Sequence, residues 1–212
     1  MKPFLNLPPW KRLASWLTLL CSVTLAVGWV NQENPFSEGG ETASSQALVE
    51  FPVWESQWIG CEPLTLGEMQ GEVWLIKVWT FECINCILSM PFMNDMVERY
   101  GERVGMLGVH SPEYQSEREI PGLRAAIVEH ELRFPTFVDQ TLEFFTAMDV
   151  PAWPTFYVVD RELKVRGRWV GEVRLGSKRG RDIEALMEAL LEEPLPVRAS
   201  AQAPASGALE ER

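Results

Sequence analysis

The run EVWLIKVW, residues 72–79, is the strongest constraint on how this chain folds. Its apolar β-formers follow one another without the alternation of a half-solvated strand, so it reads as a strand buried on both faces. INCILSMPFMNDMVERYG (84–101) then shows helical apolar spacing, interrupted by Pro91 and ending in Gly101. VGMLGVH (104–110) is a second continuous strand, and EREIPGLRAAIVEHEL (117–132) a helix with Pro121 near its start. FPTFVD (134–139) reads as a short strand and LEFFTAMDV (142–150) as a short helix. PTFYVVD (154–160) and VRGRWVGEV (165–173) are strands joined by the polar turn RELK, and SKRGRDIEALMEALLEE (177–193) is an amphipathic helix. Alternating strands and helices that end in a hairpin and a helix predict an α/β domain over residues 49–193. Its central sheet is mixed, parallel early and antiparallel late, with helices on both faces.

The two ends lie outside that domain. MKPFLNLPPWKR (1–12) carries three positive charges and no negative one, and residues 13–32 run without a charge. About 20 apolar residues cross a bilayer, and basic flanks stay cytoplasmic. Residues 13–32 therefore read as one transmembrane anchor or a signal, with 1–12 cytoplasmic and the remainder on the periplasmic side. The length of the run favours an anchor; a cleaved signal would leave the domain secreted. Cys21 lies in this run as one more apolar residue. Residues 33–48, polar and containing Gly39-Gly40, read as a linker, and 194–212, rich in Pro, Ala and Ser, as a disordered tail. A net charge of −11 without a basic cluster excludes nucleic acid as a partner.

Four cysteines, Cys21, Cys61, Cys83 and Cys86, are too few for a disulfide scaffold in 212 residues. Two of them form the CxxC of TFECINCILSMP (80–91), where the first long strand hands over to its helix. A structural zinc site needs four ligands, and no second Cys/His pair completes one. A disulfide across so short a loop stabilises little by chain entropy. The remaining reading is a redox pair. At a helix N-terminus, free N–H groups and the dipole favour the Cys83 thiolate, which is the attacking species in disulfide exchange. Cys86, one turn further in, is shielded and suited to resolve a mixed disulfide. No metal is expected, nor any cofactor beyond the Cys83–Cys86 disulfide itself.

WTFECINC (79–86) with Pro91, GVHSPEY (108–114) and VPAWPTFYVVDRELKVRGRWVGE (150–172) together resemble the thioredoxin superfamily. The resemblance is to the TlpA/ResA-type thiol–disulfide oxidoreductases, and within them to the CINC domains of DipZ-like and NHL-repeat proteins. It covers residues 64–188 and implies a thioredoxin-like fold. It further implies that Cys83 is the nucleophile, Cys86 the resolving cysteine and Trp79 the aromatic residue before the active-site loop. Pro154 matches the cis-proline that faces the cysteines, and the backbone of Trp153 the part that pairs with substrate; a packed Trp-Pro turn is the alternative. Lys77 departs from the pattern, because the resemblance implies a buried acid six residues before the first cysteine. A lysine there is either buried and partly neutral, or paired with a carboxylate, or directed outward. Glu82 is the candidate partner or substitute base, or else a solvated loop residue. His110 ends a strand beside the active-site strand and either approaches the site or is bonded in a loop. Cys61 reads as an inert buried thiol, with a disulfide as the alternative.

These readings converge on a membrane-tethered, extracytoplasmic thiol–disulfide oxidoreductase that acts on protein disulfides or dithiols. The resemblance implies a membrane electron donor of the CcdA/DsbD kind. A disulfide-donating oxidase is the alternative, with a thiol peroxidase or a copper-delivery protein less favoured.

Overall fold

The structure, a computed structural model, describes residues 41–42 and 46–194; the apolar run at 13–32 and the tail beyond 194 lie outside the described residues. Among the described residues no helix is long and apolar enough to cross a membrane. The strands are β1 (Glu41–Thr42), β2 (Trp58–Ile59), β3 (Val73–Trp79), β4 (Val104–His110), β5 (Thr136–Val138), β6 (Thr155–Val159) and β7 (Val165–Val170). The helices are α1 (Leu66–Met69), α2 (Ile84–Leu88), α3 (Met90–Tyr100), α4 (Ile120–Glu129), α5 (Glu143–Ala147) and α6 (Lys178–Glu192). The strands join in one sheet of order β1-β7-β6-β3-β4-β5-β2. β3, β4 and β5 run parallel, while β6 and β7 are antiparallel. The thioredoxin-like α/β fold and its mixed sheet are as the sequence predicts.

β3 lies mid-sheet with all seven residues buried. Its side chains alternate between two cores. Val73, Leu75 and Trp79 meet the apolar stripes of α3 and α6, including Phe92, Met96, Ile183 and Met187. Trp74, Ile76 and Val78 meet Met69, Phe51, Phe144 and Met148 on the opposite face. The Trp74 indole lies across its register partner Gly105, where a Cβ would fall 2.4 Å from the ring. Gly105 is thus required by close approach.

Three local features differ from the sequence reading. The predicted helix over 84–101 is two helices, α2 and α3, meeting at Ser89. Pro91 has no N–H to return to the fourth residue before it, and the Ser89 hydroxyl is occupied elsewhere. It donates to the Asn85 carbonyl at 2.7 Å and accepts from the Val173 N–H at 3.0 Å. The segment read as a linker enters the sheet: β1 pairs with β7, Ala47 bridges Lys164, and the Leu48 N–H donates to the Leu163 carbonyl at 2.8 Å. Edge pairing of this kind uses backbone groups and leaves no apolar period to read. The two-residue strand β2 pairs with β5, and Trp58 packs in an aromatic cluster with Phe51 and Phe137.

Candidate active site

Cys83 is the N-cap of α2, with extended backbone at φ −80° and ψ 112°. Its sulfur accepts from the Cys86 N–H at 3.4 Å. Cys83 is half-buried and Cys86 fully buried. The two thiols are driven apart in acidity. A hydrogen bond from the Cys86 thiol, then those from the Cys86 and Asn85 N–H groups, lower the Cys83 pKa to about 6 against burial and the charge of Glu113. Burial pushes Cys86 far upward, and its hydrogen bond to Cys83 adds to this.

The peptide bond between Trp153 and Pro154 is cis. The Trp153 carbonyl stands 3.9 Å from the Cys83 sulfur. Its indole donates to the Ser111 carbonyl at 2.9 Å and stacks on Phe145. Trp153 therefore presents its backbone to the cysteines while its ring is packed away.

Lys77 faces the α2–α3 side of β3 with no solvent exposure. Its Nζ donates to the Cys86 carbonyl at 2.8 Å and meets the Met90 sulfur at 2.9 Å. The Trp79 and Phe156 rings lie 5.9 Å away. Among the described residues no carboxylate pairs with it. Burial lowers its pKa to about 7, opposed by charge on Cys86 and Cys83. The buried, partly neutral reading of Lys77 is the one the geometry favours. Glu82 is not its partner: it is exposed, and its carboxylate accepts from the Ser116 hydroxyl at 2.9 Å.

A profile of the AhpC/TSA family matches residues 49–168, more than half of the chain. The chain belongs to the AhpC/TSA family. Among the relatives of this AhpC/TSA domain is Protein SUPPRESSOR OF QUENCHING 1, chloroplastic, of Arabidopsis thaliana. It is 28% identical over 137 residues, which cover 64% of this chain and 13% of that protein. Thiol-disulfide oxidoreductase ResA of Bacillus cereus is 22% identical over 156 residues, covering 74% of this chain and 84% of the relative. The chain thus spans a small part of the first relative and most of the second. In the fold, a crystal structure of a thioredoxin-like superfamily protein superposes with a TM-score of 0.62 at 22% identity, covering 71% of this chain and 99% of the other. The TlpA/ResA-like resemblance read from the motifs agrees with these relatives.

Other residues frame the site of this AhpC/TSA domain. His110 is fully buried, stacked on Phe81 and edge-on to Trp79, with Nε2 3.4 Å from the Thr80 hydroxyl. Burial lowers its pKa to about 4, so it is neutral and supports the loop from below. Trp79 is itself wholly buried. Cys61 is a free thiol whose pKa burial raises to about 11. Glu117 has no counterpart in the sequence reading. It is buried and accepts from the N–H groups of Glu82, Glu113 and Tyr114 at 3.0, 2.7 and 2.8 Å. It ties the loop before Cys83 to the turn after β4. The polar stretch SPEYQSERE holds several acids, and no periodicity marks which one turns inward.

Proposed function

We propose that this chain is a membrane-tethered thiol–disulfide oxidoreductase that reduces protein disulfides through Cys83 and Cys86. The observation that carries the reading is the pairing of a half-buried, acidic Cys83 with a fully buried, weakly acidic Cys86 on one helical turn. The Cys83 thiolate attacks a substrate disulfide, a mixed disulfide forms, and one substrate sulfur leaves as a thiolate that takes up a proton. Cys86 then attacks Cys83, the enzyme disulfide forms and the second substrate thiol is released. The Trp153 carbonyl, 3.9 Å from the reacting sulfur, offers an acceptor to an extended substrate backbone. The charge-free run at 13–32, preceded by Lys11-Arg12 and followed by Glu33, supports an anchor that leaves the domain outside the cytoplasm. In that compartment thiols oxidise, so the pair has to be re-reduced by a membrane dithiol donor.

The deciding measurement is the reduction potential of the Cys83–Cys86 pair, equilibrated against a thiol buffer. A value at or below about −220 mV supports a reductase. A value near about −120 mV reverses the direction and makes the protein a disulfide donor. No titratable dithiol at all would sink both.

A further inference from the structure

The two ends of the sheet differ in what they expose. Trp79 of β3 lies level with His110 of β4, and His110 with Val138 of β5, so Cys83 stands at the carboxyl end of the three parallel strands. β2 runs against β5, with Trp58 opposite Phe137 and Ile59 opposite Thr136, so the residues before Trp58 lie toward the Cys83 end. There the chain forms a tip that leaves Val53 59% and Trp54 71% exposed. The tip is braced from within. The Gln57 N–H donates to the Trp54 carbonyl at 2.9 Å, the Trp58 indole donates to the Pro52 carbonyl at 2.9 Å, and Phe51 is buried behind them. A fixed backbone thus holds two large apolar side chains out in water, a feature that marks a protein or membrane contact. Ile84, at the start of α2, and Tyr114, after β4, are exposed at the same end. Val128 is exposed at the other, because a helix joining two parallel strands runs back against them and Val128 lies near the end of α4.

The tether joins the domain from that same end. β1 runs antiparallel to β7, with Glu41 opposite Arg168 and Thr42 opposite Gly167, while Val170 lies opposite Thr155 and Thr155 opposite Val78. Passing from Thr42 back to Glu41 therefore leads toward the Cys83 end. Eight residues, 33–40, separate Glu41 from the charge-free run. Fully extended they span at most about 29 Å, about the width of a seven-stranded sheet. β1 and β2 are the two edges of the sheet and β3 is its middle strand, so tether and tip stand on either side of Cys83. We infer that the Val53–Trp54 tip rests in the headgroup layer of the bilayer and turns the Cys83 end of the domain toward the membrane, an inference that rests on the tether in the reading above. Tryptophan suits that layer, where its ring is half in apolar and half in wet surroundings. Glu50 and Glu55 are exposed beside the tip, so the contact is apolar insertion into a zwitterionic surface and not attraction to anionic lipid. The orientation brings Cys83 to the level at which a membrane dithiol would meet it.

The test uses the full chain in phosphatidylcholine vesicles, with the photoreactive residue p-benzoylphenylalanine in place of Trp54 or, in the turn between α3 and β4 at the opposite end, of Glu102. Irradiation is expected to join lipid to the chain at 54, seen as a protein–lipid mass, and not at 102. A second measurement places a donor dye on Cys83 of the Cys21→Ser chain at pH 7, where Cys83 is ionised and Cys61 is not. Energy transfer from that dye to acceptor-labelled lipid is expected to fall when Val53→Ser and Trp54→Ser are introduced together. Both positions are exposed, so the fold does not depend on them. Absence of a lipid adduct at 54, or equal adducts at 54 and 102, overturns the inference. So does an adduct at 54 to a second copy of the chain in place of lipid, and so does unchanged energy transfer in the double variant. A chain that does not float with the vesicles at all overturns the tether itself, and the inference with it.

Discussion

Cys83 and Cys86 are chemically alike in sequence and differ only in place. The largest influence on Cys83 is the hydrogen bond from the Cys86 thiol, ahead of the N–H groups of the first turn. Alkylation of the reduced protein should therefore half-saturate near pH 6, and Cys86→Ala should move that midpoint upward toward the ordinary thiol value. A midpoint that stays put would assign the shift to the helix N-terminus instead. Cys86→Ser should arrest turnover at the mixed disulfide, visible as a substrate adduct on a non-reducing gel, whereas Cys83→Ser should form none. Lys77 makes a stability prediction of definite sign. Folded, it holds its proton more weakly than when unfolded, so above about pH 7 the unfolded chain carries the extra proton and stability rises with pH until lysine's ordinary value is reached. The Cys83 thiolate adds a slope of the same sign in the reduced protein, beginning at about pH 6. Lys77→Met should therefore stabilise the fold at pH 6 by about 1–3 kcal/mol, with the gain shrinking toward alkaline pH in chemical denaturation. The Cys86 carbonyl it leaves behind keeps the Ser89 N–H at 3.1 Å. The cysteine pair was legible from spacing alone. The partners of Lys77 and Glu82 were not, because a lysine among apolar neighbours and a glutamate in a loop look the same in sequence whichever way they turn.

At the scale of elements, the strand–helix order follows from periodicity, and what escapes it are junctions. The break at Ser89 rests on one hydroxyl that bonds both the Asn85 carbonyl and the Val173 N–H. Ser89→Ala leaves that N–H buried without its acceptor and should cost about 1–3 kcal/mol, measured by urea unfolding. The hairpin after β6 is set by Asp160, whose carboxylate accepts from the Glu162 and Lys164 N–H groups at 2.9 and 3.0 Å while Leu163 adopts φ +65°. RELK marked this turn as polar, and the residue that organises it stands just before those four. A close junction between elements is Trp74 on Gly105. Gly105→Ala should destabilise the fold by about 1–3 kcal/mol through overpacking, and should leave the Cys83 alkylation profile unchanged because the contact lies on the face away from α2.

For the whole molecule, the site lies where β3 meets α2, at the carboxyl end of a buried strand, with the β4–α4 turn and the loop before β6 closing on it. The chain expressed whole should sediment with membranes and resist a carbonate wash. An intact-mass measurement on that fraction separates an anchor from a cleaved signal. If the protein stays in the supernatant at full mass, the tether is wrong and the exchange chemistry is untouched. By itself the sequence determined the α/β alternation, the central buried strand, the dithiol at its end and the apolar run before the domain, since each is a local pattern of side-chain type along one segment. Tertiary structure alone decided which groups surround the thiols. The loop carrying Trp153, the acid Glu117 and the amine of Lys77 reach the site from separate strands and turns, and only packing brings their atoms to within a few ångströms of one α-helical turn. The same packing makes the two cysteines unequal, because solvent is removed from Cys86 and from Lys77 beside it while Cys83 stays partly exposed.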